Sequence, residues 1–163
     1  MIGQYPPMNA SEGCLASENK GRKTMSERLT RREIREGVFL LLFQNELSGT
    51  GPAELAGACE EAYEMTVTKE MIKTADAVIA KYDELDAIIA EYSKTREVSR
   101  IPKVNKTILR LALYEIKYSD KAPPKVAVNE AVELSKKYAD KQDSGFINGI
   151  LGNYIRTVGG NAD

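Results

Sequence analysis

Apolar residues in this chain recur at intervals of three and four, and that spacing decides what it can fold into. Ile34, Val38, Leu41 and Leu42 fall at i, i+4, i+7 and i+8, one face of a helix, which Phe39 and Phe43 broaden. Ahead of them, Thr30-Arg-Arg-Glu33 has the form of a capping box: the Thr hydroxyl accepts from the Glu33 amide while Glu33 reaches back. A helix is therefore predicted from about 31 to 46, stopping in Ser48-Gly-Thr-Gly-Pro52, with Pro52 opening a second, short helix to about Tyr63. Met71, Ile72, Ala75, Val78, Ile79, Tyr82, Leu85, Ile88 and Ile89 predict a single third helix over about 68–92, roughly 37 Å long. Pro102 starts a helix carrying Val104, Ile108, Leu111, Ala112 and Ile116, and Ala122-Pro123-Pro124 breaks the chain again. Val128, Ala131, Val132 and Ser135 mark the next helix, which ends near Ala139. A last one, about 144–158, presents Phe146, Ile147, Ile150, Leu151, Tyr154, Ile155 and Val158. No segment alternates like a strand hairpin. The expected fold is all-α, about six to seven helices in two packed helical halves, about 25–92 and 102–158, with the polar, basic stretch 93–101 between them.

Residues 1–24, rich in Gly, Ser, Asn and Pro and without periodicity, are expected to be a disordered tail, and 159–163 a short one. The absence of His excludes a His base, a Ser-His pair and a His-ligated metal. Cys14 and Cys59 form no CxxC pair and suit a reducing compartment. No apolar run reaches the length of a membrane span and the N-terminus lacks a signal-peptide stretch, so the chain is read as cytoplasmic. Gly49-Thr-Gly51 and Gly145-Phe-Ile-Asn-Gly149 do not make a phosphate loop, and Asp83 and Asp86 read as a solvated face. Neither catalysis, nor a cofactor, nor a metal is expected.

The net charge of −1 hides segregation. Residues 20–35 carry Lys20, Arg22, Lys23, Arg28, Arg31, Arg32 and Arg35 against Glu27 and Glu33, a local +5; residues 52–92 sum to −7 and residues 93–125 to +6. Such blocks suit one face for a polyanion and another for a basic partner, or else a plain solvated surface. Cations at a helix N-terminus are mildly unfavourable, so Arg31, Arg32 and Arg35 at the start of the first helix carry a cost without a structural return. Their planar forks suit phosphate.

The C-terminal half reads Lys106-Thr-Ile-Leu-Arg-Leu-Ala-Leu-Tyr-Glu-Ile116, then Pro124-Lys-Val-Ala-Val-Asn-Glu-Ala-Val-Glu-Leu134, then Ser144-Gly-Phe-Ile-Asn-Gly-Ile-Leu151. Arg110, Glu115, Asn129, Glu130 and Asn148 interrupt these apolar runs and suit interhelix hydrogen bonds, while Gly149 suits a close helix crossing. In this order, with TRREIREGVFLLLFQ at the other end, the strings strongly resemble the NusB family of bacterial transcription antitermination proteins over about residues 26–158.

The resemblance implies two three-helix-type halves, no catalysis, binding of boxA-type single-stranded RNA, and a complex with the small-subunit ribosomal protein NusE. Through that complex it implies indirect contact with other Nus factors and RNA polymerase during antitermination of ribosomal RNA operons. It places RNA contacts at Arg28, Arg31, Arg32 and Arg35, with Glu33 interrupting the basic run, and at Lys125 and Phe146. It places the ribosomal-protein contact at Phe43 and at Asn105, where an acidic residue is common in the family. From the residues alone Phe146 reads equally as a core aromatic beside Ile150. The alternative function is a non-catalytic helical adaptor, or a homodimer, whose basic patch is incidental.

Overall fold

The Thr30 hydroxyl accepts from the Glu33 amide at 3.0 Å, and the Glu33 carboxylate accepts from the Thr30 amide at 2.9 Å, so the capping box forms as the sequence requires. The structure is a computed structural model describing residues 29–159. The tail over 1–24, Arg28 and residues 160–163 lie outside the described residues. From the cap runs α1 (Arg31–Ser48), closed by Gly49 at φ 78°, a left-handed conformation that glycine enters without strain. There follow α2 (Pro52–Tyr63), α3 (Lys69–Ala80), α4 (Tyr82–Tyr92), a 3₁₀ turn at Val98–Arg100, α5 (Lys103–Tyr118), α6 (Pro124–Tyr138) and α7 (Asp143–Val158). Among the described residues there is no strand. The protein is all-α.

The single helix expected over 68–92 is two. The chain breaks at Lys81, whose φ of −109° and ψ of 13° leave the helical region. Asp83 and Glu84 then occupy the first turn of α4, where carboxylates face the positive end of the helix dipole. The chain divides into compact units through Ile79 and from Ala80 onward, so the boundary falls at this break and not at 93–101.

In the first unit α1 packs on α2, and the Gln44 amide donates to the Tyr63 hydroxyl at 2.9 Å. Residues 37–43 are buried without interruption, so this part of α1 is covered on every side and not along one face. The α3 side chain Met71 crosses α1 at Gly37, where a Cβ would meet its Sδ at 2.5 Å. Any larger residue there would require the flexible end of Met71 to shift. Gly149, assigned a close crossing from sequence, has open space where its Cβ would be.

In the second unit α5 packs on α4, α6 and α7, and α7 on α6 and α4. Residues 107–113 of α5 are buried throughout. Among them is Arg110, 5% exposed. Its Nε and Nη2 each donate to Asp86 of α4 at 2.7 Å, and its guanidinium lies 3.8 Å from the centre of the Tyr82 ring. Asp86 therefore belongs to an interhelix pair, not to a solvated face. The ends of the same two helices meet where the Tyr118 hydroxyl donates to Glu84 and Lys117 pairs with it at 3.1 Å, which together hold that carboxyl below its ordinary range. Between α6 and α7, Ser135 donates to the Val132 carbonyl at 2.7 Å, so Ser144, also at 2.7 Å, donates to Ser135. Tyr92 of α4 meets Tyr154 of α7 edge-on at 5.7 Å. Asn129 and Asn148, in contrast, are exposed.

Removing one partner of a buried ion pair costs roughly 3–5 kcal/mol because the other is stranded. Asp86 is 29% exposed against 7% for the Arg110 side chain and rehydrates more easily. Arg110→Ala is therefore expected to lower stability by about 2–3 kcal/mol, and Asp86→Ala, which strands the deeper charge, by more. Urea titration of both variants checks the order; equal, sub-kilocalorie losses would show that the pair contributes little.

Candidate functional site

The basic start of α1 is held by the cap beneath it. Glu33, which interrupts the arginine run, spends its carboxylate on the Thr30 amide, so the interruption is structural. Arg31 and Arg32 are exposed and Arg35 is half-buried. Arg31 faces Glu70 of α3 at 3.7 Å, with its side chain 56% exposed. An ion pair so open contributes between zero and about 1 kcal/mol and is screened by salt. The capping box already occupies the Glu33 amide, so the first turn of α1 offers an anion the positive end of the dipole and guanidinium groups.

In the second unit, Lys125 stands exposed at the second position of α6, beside the exposed Val126. Phe146, the fourth residue of α7, is half-buried and so falls between the two readings the sequence left open. Arg96, from the segment between α4 and α5, places its guanidinium 4.5 Å from the centre of the Phe146 ring and 3.6 Å from the buried Asp143 carboxylate. Its backbone is fixed too, since the Ser93 hydroxyl donates to the Arg96 carbonyl at 2.6 Å. Sequence reasoning took 93–101 as a polar boundary and missed Arg96. The only available signal is one of two arginines in a basic stretch.

The two residues assigned to the protein partner lie inside. Phe43 is 1% exposed and stacks with Phe39 at 6.1 Å. Asn105 is 1% exposed, and neither its amide nitrogen nor its amide oxygen has a hydrogen-bond partner among the described residues. Neither side chain presents surface to a partner. Phe43 ends the stretch of α1 that is buried on all sides, whereas Asn105 is buried between the half-buried Val104 and Lys106, and neither burial is marked in the local sequence.

Among the described residues no group of three potential His, Cys, Asp or Glu ligands comes together, and no helix is long and apolar enough to cross a membrane. Cys59 is buried and unpaired; burial, with Glu60 beside it, pushes its thiol up to about 11, so it is protonated and a poor nucleophile near neutral pH.

The NusB family model matches residues 32–156. The transcription antitermination protein NusB of Agathobacter rectalis is 41% identical over 132 residues, covering 77% of this chain and 99% of the relative. That of Lachnoclostridium phytofermentans is 38% identical over 133 residues, covering 78% and 99%. A solved structure of the antitermination factors NusB and NusE in complex with dsRNA matches with a TM-score of 0.68 at 27% identity, over 78% of this chain and 96% of its own.

Half-burial of Phe146 fixes an intermediate energetic outcome. Fully buried phenylalanines cost roughly 3–5 kcal/mol on truncation. Phe146→Ala is expected to lower stability by about 1–2 kcal/mol, part of it from the lost ring–guanidinium contact. Thermal melts check this; a loss at or above the fully buried range would make Phe146 a core residue and remove it from the site.

Proposed function

Because this chain belongs to the NusB family of antitermination factors, we propose that it binds boxA-type single-stranded RNA together with the ribosomal protein NusE and so promotes antitermination of ribosomal RNA operons. The observation that carries this reading is the first turn of α1. Arg31 and Arg32 stand exposed there, where cations oppose the helix dipole and where Arg31's visible partner is a loose, solvated carboxylate. A phosphate relieves that cost by neutralising the guanidinium groups and by placing negative charge at the positive end of the dipole.

The mechanism requires no bond-making. Guanidinium groups capture phosphates with release of counterions, and a single-stranded base stacks on an exposed aromatic or guanidinium plane. Arg31, Arg32 and Arg35 supply the first element from the first unit; Lys125 and Phe146 supply a cation and a stacking ring from the second. Arg28 belongs to the same basic run by sequence. Support for the NusE part comes from family membership and from the neighbour solved with NusE and RNA. Phe43 and Asn105, being buried, are not offered as that contact. Action on nascent ribosomal RNA, with other Nus factors and RNA polymerase as indirect partners, would place the protein in the cytoplasm.

The competing reading is a helical adaptor, or homodimer, with an incidental basic patch. Mobility-shift titration with a boxA-like RNA and a scrambled one separates the two: preference for the former supports the proposal, and equal binding leaves a generic polyanion patch. The double substitution Arg31→Ala/Arg32→Ala is expected to weaken RNA binding while leaving helicity and Tm nearly unchanged. The slope of log affinity against log salt should shrink by about 0.7 per lost contact. A large loss of helical circular dichroism would instead make these arginines structural.

A further inference from the structure

The segment between α4 and α5 carries a feature that the RNA reading above does not use. Arg96 lies over the Phe146 ring at 4.5 Å, near Asp143 at 3.6 Å, with its side chain 35% exposed. The second distance is longer than a hydrogen bond, so Asp143 orients the guanidinium without engaging its N–H donors. Asp143 is itself buried in the first turn of α7, where the helix dipole stabilises its charge. The carboxylate is thus a fixed anchor. The Ser93 hydroxyl, bonded to the Arg96 carbonyl, fixes the other end of the residue.

We propose that Arg96 is a further RNA-contacting residue, which caps Phe146 to form a two-layer stacking platform for a nucleobase of single-stranded RNA. The proposal rests on the RNA-binding reading of the protein. A guanidinium lying over an aromatic ring offers a second flat group of the kind on which unpaired bases stack, and it still carries donors for a neighbouring phosphate. Because the ring, the anchor carboxylate and the backbone hydrogen bond already orient it, little side-chain entropy remains to be lost on binding. Lys94 and Arg100, exposed on the same segment, add to its positive charge. Without RNA, the same geometry leaves one face of Phe146 covered. The opposite function is therefore physically distinct: an Arg96 that merely blocks the ring would have to move before a base could stack.

The test uses the full chain and a boxA-like single-stranded RNA followed by fluorescence anisotropy. Arg96→Ala is expected to raise Kd about tenfold, within what one stacked base contributes, with unchanged helical circular dichroism. Arg96→Lys restores the charge but not the plane, and is expected to recover the salt slope while remaining several-fold weaker than the unsubstituted protein. Wild-type affinity in Arg96→Lys would overturn the platform and leave a point charge. Tighter binding in Arg96→Ala would overturn it in favour of a block. Should alanine reduce helicity, Arg96→Met, which keeps the apolar stem but neither the plane nor the charge, replaces it with the same expected loss. Unchanged affinity in Arg96→Ala alongside a loss in Arg31→Ala/Arg32→Ala refutes the role of Arg96 and keeps the RNA reading. Absence of RNA binding by the unsubstituted protein refutes both.

Discussion

A guanidinium in the middle of a buried helix is the constraint on which the second unit is arranged. Arg110 sits between Leu109 and Leu111, both buried, in a stretch of α5 that α4, α6 and α7 enclose. A charge there is tolerable only when paired and hydrogen-bonded on all the edges it presents, because the alternative is several kcal/mol of lost hydration. Asp86 answers with a bidentate contact and Tyr82 with an aromatic face, and both belong to α4. The register of α4 against α5 is therefore specified by one side chain in a way that interchangeable Leu and Ile contacts could not specify. The break at Lys81 has a consequence in the same terms. It starts a new helix just ahead of Tyr82, and Tyr82 and Asp86, four residues apart, then share one face toward Arg110.

The first unit meets its constraint by subtraction. Seven consecutive residues of α1, Gly37 through Phe43, are buried, and the methionine from α3 occupies the space that any side chain at position 37 would need. Glycine in a helix interior costs about 1 kcal/mol relative to alanine. Here the cost is offset by the burial of Met71, a flexible side chain suited to filling an irregular gap.

Helix positions were legible because their signals are local. The Thr30–Glu33 box and the prolines at 52, 102 and 124 each act within a turn of where they stand, and each marks a helix start in the structure. What escaped the sequence depends on a partner distant in the chain. Asp86 looked solvated because its own neighbours are charged, while the guanidinium that claims it is 24 positions away. Gly149 and Gly37 look alike as glycines in helices, and only the position of Met71 tells them apart. The break at Lys81 is marked by neither Gly nor Pro, so apolar spacing reads straight through it. Phe43 and Asn105 followed from family resemblance, which locates a position along a helix but not its burial in this chain. Phe146 was placed on the right helix, yet its half-buried state depends on Arg96, 50 residues earlier in a segment that periodicity cannot describe.

Geometry also sorts the arginines by what they have left to give. Arg110 commits one edge of its fork to two 2.7 Å hydrogen bonds with one carboxylate and is 5% exposed, so it is not presented to a ligand. Arg31 and Arg96 are also near carboxylates, but at 3.7 and 3.6 Å, beyond hydrogen-bond range. At such distances Coulomb attraction still biases the orientation of the side chain, because it falls only as the inverse of separation, whereas the directional part of a hydrogen bond is already gone. The result is a cation that is steered but not consumed. A binding surface for a polyanion needs that combination, since a fully paired arginine must first break its bonds and a wholly unrestrained one must lose its rotamer freedom on contact. Under the proposed RNA-binding reading, the acidic neighbours Glu70 and Asp143 position the cations although their own charge opposes the ligand. The opposition is small for the exposed Glu70, where solvent and salt screen it, and at Asp143 it is shared with the dipole of α7.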